Sequence, residues 1–144
     1  MSIPFTGTYR LRSVKFPNQL LDLHSGSAAP GTPVTGYMNN YFNQNMLWTM
    51  QVVDPLKKIV RLINVASGTF PYSQDASNPG TEIMGGPNAM LWKIAPRNNL
   101  GEYSIQTTDG QLAFSLANSD NGTLITLQRV DGNDNSQGWI FCPV

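Results

Sequence analysis

Short segments in which apolar and polar residues alternate recur along the chain. The clearest of them cover residues 8–14, 58–63, 102–107 and 123–128. Gly, Pro, Asn, Ser and Thr separate such segments at intervals of about eight to twelve residues, the spacing of turns between short antiparallel strands. No long stretch repeats apolar positions at the helical period between capping residues. The pattern predicts an all-β protein.

Three tryptophans divide this pattern into similar parts. They lie 44 and 47 residues apart, each is preceded by a Gly-Thr pair, and they are Trp48, Trp92 and Trp139. Because a large aromatic side chain dominates burial, we expect all three to pack in a shared core. Four short strands repeated three times predict a β-trefoil. The prediction is a single domain over residues 1–144, with units at about 7–53, 54–97 and 98–144.

The low charge of the chain limits its classes of partner. Charged residues make up 12% of the 144 residues, with nine basic and nine acidic side chains. Neither a basic stripe for nucleic acid nor a polybasic membrane patch is expected. The N-terminal segment lacks the apolar run of a secretory signal, and no apolar run is long enough to span a bilayer. These features predict a cytoplasmic protein with no nucleic-acid partner and no membrane insertion.

Residues suited to catalysis or metal binding are few and scattered. The chain has one histidine, His24, and one cysteine, Cys142, without a nucleophile motif, a phosphate loop or a metal-ligand spacing. We therefore predict no catalysis, no cofactor and no metal. His24 stands two residues after Asp22 in an alternating segment, which predicts that both side chains lie on one face of a strand.

The first third of the chain carries the most specific motif. Residues 20–48 read LLDLHSGSAAPGTPVTGYMNNYFNQNMLW, with Leu-Asp-Leu, Gly-Thr-Pro-Val, Gly-Tyr and Asn-x-x-Trp in succession. This order resembles the ricin-type (ricin B-like) lectins, and within them the small cytosolic mushroom lectins. The threefold repeat extends the resemblance to the whole chain, although Met46 and Met90 replace the Gln of the family's Gln-x-Trp signature. The resemblance implies a β-trefoil that binds carbohydrate without catalysis.

The resemblance also implies a sugar site in the first unit. In the family, an aspartate accepts hydrogen bonds from two adjacent sugar hydroxyls, an aromatic ring supports the pyranose, and an asparagine bonds to the same hydroxyls. These roles match Asp22, Tyr37 and Asn45. Gly36 is expected to leave room beside the aromatic residue, and Asn40 to add a polar contact from the loop that follows. Galactose and N-acetylgalactosamine glycans are the implied ligands.

The residue types suit a sugar on chemical grounds as well. A neutral polyol needs donors and acceptors for its hydroxyls and an apolar support for its C–H face. The first unit offers a carboxylate, an aromatic ring and a run of carboxamides: Asn39, Asn40, Asn43, Gln44 and Asn45. Taken singly, Asp22 fits a turn or edge residue equally well, and the run of asparagines fits an ordinary loop. Together they predict a shallow, wet site with Asp22 at a strand edge, where it contributes little to stability.

The other two units provide an internal control. Nine residues before the Gly of each Gly-Thr pair, where the first unit has Asp22, they have Pro71 and Ala113. Three residues before each tryptophan, where the first unit has Asn45, they have Ala89 and Ser136. The missing carboxylates predict one working site. A weak, different site in the third unit stays open because of its acidic and amide residues, Asp131, Asn133 and Asp134.

A protease inhibitor of the same fold is the alternative function. Such a protein acts through an exposed Lys or Arg on a rigid loop, and the candidates are Lys57, Lys58 and Arg97. An inhibitor does not need the sugar-binding set of the first unit, so the lectin is favoured. One shallow site predicts a Kd on the order of millimolar, and useful avidity would then require a homodimer. By analogy with the family, the expected role is fungal defence.

Overall fold

The computed structural model describes residues 2–40 and 43–144. These residues form short 3-10 turns at His24–Gly26, Gln44–Met46 and Asn135–Gln137. No helix in the described part of the chain is long and apolar enough to cross a membrane. The rest of the regular structure is β, which confirms the predicted fold class. The strands are β1 Gly7–Ser13, β2 Gln19–Leu23, β3 Thr32–Met38, β4 Trp48–Asp54, β5 Ile59–Asn64, β6 Phe70–Ser73, β7 Ile83–Gly86, β8 Trp92–Pro96, β9 Glu102–Gln106, β10 Leu112–Ser115, β11 Thr123–Leu124, β12 Thr126–Arg129 and β13 Trp139–Pro143.

Six of the strands close into a barrel. In order around it, β1 pairs with β4, β4 with β5, β5 with β8, β8 with β9, β9 with β13, and β13 with β1, all antiparallel. Closure leaves the barrel without a free sheet edge. Three hairpins complete the fold, formed by β2 with β3, β6 with β7, and β10 with β12. A six-stranded barrel with one hairpin per unit is the predicted β-trefoil.

The tryptophans hold the same position in each unit. Each opens the last barrel strand of its unit and is at most 1% exposed. Its indole N–H donates to a hairpin carbonyl, which in unit order belongs to Leu21 at 3.0 Å, Pro71 at 3.1 Å and Phe114 at 3.2 Å. A buried indole usually finds such an acceptor. The prediction that all three are core residues is confirmed, and the bonds tie each hairpin to the barrel.

The Gly-Thr pairs form matching turns before the second half of each hairpin. Gly31, Gly80 and Gly122 have φ of +83°, +89° and +87°, the left-handed conformation that favours glycine. The hydroxyl of the threonine that follows donates to the carbonyl three residues earlier, at 2.6 to 2.7 Å in the three units. The turn and the indole hydrogen bond recur in all three units. They therefore identify which residue of one unit is equivalent to which residue of the next.

Candidate functional site

The hairpin of β2 and β3 carries the predicted sugar-binding residues of the first unit. Asp22 is paired with Thr35, and Leu20 with Tyr37. Side chains that lie directly opposite in an antiparallel pair project from one face, and so do side chains two residues apart. Asp22, Thr35 and Tyr37 therefore share a face, and it is opposite to the face on which Leu21 joins the core.

The 3-10 turn Gln44–Met46 brings Asn45 to this hairpin. The turn packs against β2 and β5. The Oδ1 atom of Asn43 accepts from the Asn45 N–H at 2.9 Å, and the Asn45 carbonyl accepts from Asn64 Nδ2 at 2.9 Å. The Asn45 carboxamide lies against Gly26, close enough to leave no space for a Cβ there. These contacts hold Asn45 beside the segment that directly follows β2.

The Asp22 carboxylate is buried and lacks a full set of partners. Asp22 is only 5% exposed, and burial raises the pKa of its carboxyl to about 7. Its Oδ1 atom is buried without a hydrogen-bond partner, and so is the Oγ1 atom of Thr35 opposite. Most buried polar atoms in proteins are paired. The expectation of an edge carboxylate in a wet site does not match this burial, and the 3-10 turn packs against β2.

Tyr37 and Gly36 project to opposite sides of β3. Tyr37 is 42% exposed, so part of its ring is open to solvent. Gly36 is buried, and a Cβ on it would lie 2.6 Å from Leu116 of the third unit. The Gly36 carbonyl accepts from the Gly122 N–H at 2.9 Å. Leu116 therefore fills the space at Gly36. The contribution of Gly36 is its backbone, which positions Tyr37.

The loop after β3 contains the remaining predicted site residue. Asn40 is exposed, and its carbonyl accepts from the Asn43 N–H at 3.0 Å. That bond joins the start of the loop to the cap of the 3-10 turn. Tyr41 and Phe42, which belong to the same predicted loop, lie outside the described residues.

Two residues near Asp22 differ from the sequence-based account. Thr35 was not predicted as a site residue, although its place two residues before Tyr37 in an alternating strand could have revealed it. His24 was predicted to continue the strand. Instead β2 ends at Leu23, and His24 opens a 3-10 turn as an exposed residue. The alternation that placed His24 on the face of Asp22 therefore does not extend to it.

The count that gave Pro71 and Ala113 as equivalents of Asp22 is out of register. From the indole-bonded carbonyl to the Gly of the Gly-Thr pair there are ten residues in the first unit, nine in the second and eight in the third. Counting back from the glycine therefore misses by one and then by two residues. The structural equivalents are Tyr72 and Ser115. Neither is a carboxylate, so only the first unit has one at this position.

In the second unit the equivalent position is filled by protein. Tyr72 follows the indole-bonded carbonyl, as Asp22 does in the first unit. Gly86 stands where the first unit has Tyr37. A Cβ on Gly86 would lie 2.7 Å from the ring of Tyr72, so this ring covers the strand where a sugar would need open space.

In the third unit the equivalent groups bond to one another. Ser115 and Ser136 take the positions of Asp22 and Asn45, and their hydroxyl oxygens are 3.1 Å apart. The Ser136 hydroxyl also donates to Asp134 Oδ1 at 2.6 Å. The contact shows that these two positions are neighbours in the fold. A cleft is present here, lined among others by Thr126, Gln128 and Asp131, but in the described residues no group of three or more His, Cys, Asp or Glu could hold a metal ion.

Arg97, a candidate for the alternative inhibitor function, is not presented to solvent. It is 9% exposed, its Nη2 donates to Asn135 Oδ1 at 3.0 Å, and its Nε lies 3.7 Å from Glu102 Oε1. A side chain held in this way cannot enter the specificity pocket of a protease. Lys57 and Lys58 are left as the basic residues of that hypothesis.

Solved structures of other proteins share this fold over nearly the whole chain. The Rhizoctonia solani agglutinin has a TM-score of 0.88 and 26% identity, with 100% of this chain and 99% of that chain covered. The Macrolepiota procera ricin B-like lectin in complex with lactose has a TM-score of 0.81 and 20% identity, with 100% of each covered. The designed threefold-symmetric protein ThreeFoil has a TM-score of 0.85 and 17% identity, over 96% of this chain and 99% of that one. No family model matches the sequence. The resemblance to ricin B-like β-trefoil lectins is confirmed.

Proposed function

We propose that the protein is a lectin that binds glycans ending in galactose or N-acetylgalactosamine, through one site in the first unit. The observation that carries the proposal is the buried carboxylate of Asp22, whose Oδ1 has no partner and faces the equally unpartnered hydroxyl of Thr35. A structural carboxylate would be expected to have its partners within the protein. The lactose complex of the similar Macrolepiota lectin supports a galactose-type ligand.

The binding mode follows from the chemistry of the face. Ionised Asp22 accepts hydrogen bonds from two adjacent hydroxyls, and Thr35 and Asn45 add neutral donors and acceptors. The exposed part of the Tyr37 ring supports the C–H face of the pyranose. Asn40 contacts the sugar from the loop. Because the ligand satisfies atoms that are otherwise buried without partners, binding depends most on Asp22.

The expected affinity is low and the binding is reversible. One site with a few hydrogen bonds corresponds to a Kd on the order of millimolar for a monosaccharide. Two sites in a homodimer would raise the avidity for a glycan-bearing surface. A cytoplasmic location and a defensive role against grazing animals remain part of the proposal by analogy alone.

A glycan array with three proteins tests the proposal. Wild type is compared with Asp22→Asn, which keeps the shape but removes the charge, and with Ser115→Ala, the matched change in the third unit. We expect wild type and Ser115→Ala to bind the same galactose- or N-acetylgalactosamine-terminated glycans, and Asp22→Asn to bind none. Equal binding by all three would contradict the site, and a blank array for wild type would contradict the function. In the latter case trypsin inhibition is the next assay, with Lys57 and Lys58 as the residues to change.

A further inference from the structure

Two large apolar side chains stand almost fully in solvent on one side of the barrel. Leu56, in the turn between β4 and β5, is 93% exposed, and Phe5, just before β1, is 89% exposed. Val53 at the end of β4 is also exposed. Lys58 lines both the cleft beside Leu56 and the cleft beside Phe5, so the two apolar residues belong to one surface. Single exposed apolar residues are ordinary, whereas a grouped set marks a contact surface.

The protein holds both residues in place through the backbone. Asp54 Oδ1 accepts from the N–H groups of Leu56 and Lys57, each at 3.1 Å, which fixes the turn. The Phe5 carbonyl accepts from the Tyr9 hydroxyl at 2.5 Å. The exposure of these side chains is therefore a property of the folded surface rather than of a loose segment.

Lysines surround Leu56. The cleft next to it is lined by Lys57, Lys58 and Lys93. Within the described part of the chain, none of the three forms a salt bridge. The carboxylate of this turn, Asp54, is already engaged by two backbone N–H groups. The apolar surface is thus bordered by positive charges without partners.

Lys58 occupies a conformation that is unfavourable for a side chain. Its φ is +62°, in the left-handed region that glycine adopts most easily. The corresponding turn between β8 and β9 has Gly101, with φ of +84°, directly before its strand. A lysine at this position destabilises the fold relative to a glycine. This fits a position at which the positive charge contributes to binding.

Basic and acidic residues are equal in number in the sequence, but they belong to different elements of the fold. The six barrel strands and the two turns that join the units hold seven of the nine basic residues and two of the nine acidic ones. The other seven acidic residues belong to the hairpins and their loops. The barrel-side residues are Arg10, Arg12, Lys57, Lys58, Arg61, Lys93 and Arg97, against Asp54 and Glu102.

We propose that a docking face formed by Phe5, Val53, Leu56, Lys57, Lys58 and Lys93 binds anionic lipid bilayers. Phe5 and Leu56 enter the boundary between headgroups and acyl chains, and the three lysines pair with lipid phosphates. The expectation of no polybasic membrane patch rested on few and evenly balanced charges in the sequence, and this proposal departs from it because the fold groups three lysines beside exposed apolar residues. None of the sugar-site residues belongs to the docking face.

Co-sedimentation with vesicles tests the docking face. The vesicles are phosphatidylcholine alone and an equimolar mixture with phosphatidylserine, both without glycolipid so that the sugar site has no ligand. We expect wild type to bind the mixed vesicles, to bind phosphatidylcholine at least about tenfold more weakly, and to be released by high salt. Leu56→Ser and the double variant Lys57→Glu/Lys58→Glu should each lose about tenfold or more in binding.

The chain offers a matched control in Leu100→Ser. Leu100 is 95% exposed in the turn between β8 and β9, but its neighbours Asn98, Asn99 and Gly101 carry no charge. This variant, and Asp22→Asn, should bind the mixed vesicles within about twofold of wild type. Wild type that stays in solution, binding that ignores phosphatidylserine, or an equal loss in Leu100→Ser would overturn the proposal. Thermal unfolding of each variant confirms that a loss of binding is not a loss of fold.

Discussion

The first and third units place different chemistry on nearly the same backbone. Both have a capped 3-10 turn over the hairpin, in which Asn43 or Asp134 accepts from the N–H two residues later. In the third unit the buried polar groups satisfy each other through Ser115 and Ser136. In the first unit Asp22 and its neighbour Thr35 leave oxygen atoms without partners. The two units therefore share the backbone at this position and differ in their unmet hydrogen bonds, and the proposed sugar site rests on that difference.

The largest effect is expected from placing the first unit's charge in the third unit. Ser115→Asp buries a carboxylate at a position 6% exposed, beside Ser136, which already donates to Asp134. Desolvation and the nearby like charge should cost on the order of 3 kcal/mol in the free energy of unfolding at neutral pH. Ser115→Ala, which loses one hydrogen bond, should cost about 1 kcal/mol. Urea unfolding measures both, and equal costs would show that the third unit accommodates the charge as the first does.

Removing the charge from the first unit, by Asp22→Asn, should stabilise the protein, and the effect should depend on pH. Burial raises the pKa of the Asp22 carboxyl to about 7 in the folded protein, above its ordinary value of 3.8. Folding therefore favours the protonated form, so stability falls as pH rises from about 4 to about 7, and the full penalty is present above that range.

Asp22→Asn lacks this penalty, so its stability relative to wild type should increase between about pH 4 and pH 8. Urea unfolding of the two proteins across this range provides the measurement. A difference in stability that stays constant with pH would show that Asp22 has an ordinary pKa, and the burial argument would then fail.

Removing the aromatic support should weaken sugar binding without changing the fold. We expect Tyr37→Ala to lower the affinity for lactose about tenfold, because the ring face is lost while the hydrogen bonds stay. Met38→Ala is the matched control, since Met38 is the next residue in β3, is also exposed, and projects to the other face. Equal losses in the two variants would place the sugar elsewhere.

The smallest effect is expected for the pH dependence of binding. Sugar hydroxyls donate to the ionised carboxylate, and protonation of Asp22 below about pH 7 removes part of that capacity. The affinity should therefore fall severalfold between about pH 8 and pH 5.5. Titration of lactose at several pH values measures the change, and an affinity that rises on acidification would contradict it.

Much of the fold was predictable from the sequence because its signals are local. Alternating strands and the spacing of the tryptophans predicted the β-trefoil, and the Gly-Thr pairs are the turns that set its register. The correspondence between units was less accessible, because the spacing from the indole-bonded carbonyl to the glycine of the Gly-Thr pair shortens by one residue from each unit to the next. Counting from Gly80 and Gly122 therefore gave Pro71 and Ala113 in place of Tyr72 and Ser115.

The environment of the candidate site depends on contacts between distant segments, and these carry no local signal. The turn that packs against β2, the strand of Asp22, lies more than twenty residues later in the chain. The space at Gly36 is filled by Leu116 of the third unit, and the burial of Arg97 involves Asn135. Residue type therefore identified candidates, while their exposure and partners required the tertiary structure.

The central claim is that ligand binding belongs to the first unit and depends on Asp22. An amide chemical-shift titration with lactose, residue by residue, tests it most directly. The account predicts that the shifts are largest in β2, in β3 and around Asn45, with little change at Ser115 or Tyr72, and that Asp22→Asn abolishes them. Shifts centred on Ser115 and Ser136, or shifts that persist in Asp22→Asn, would contradict the account.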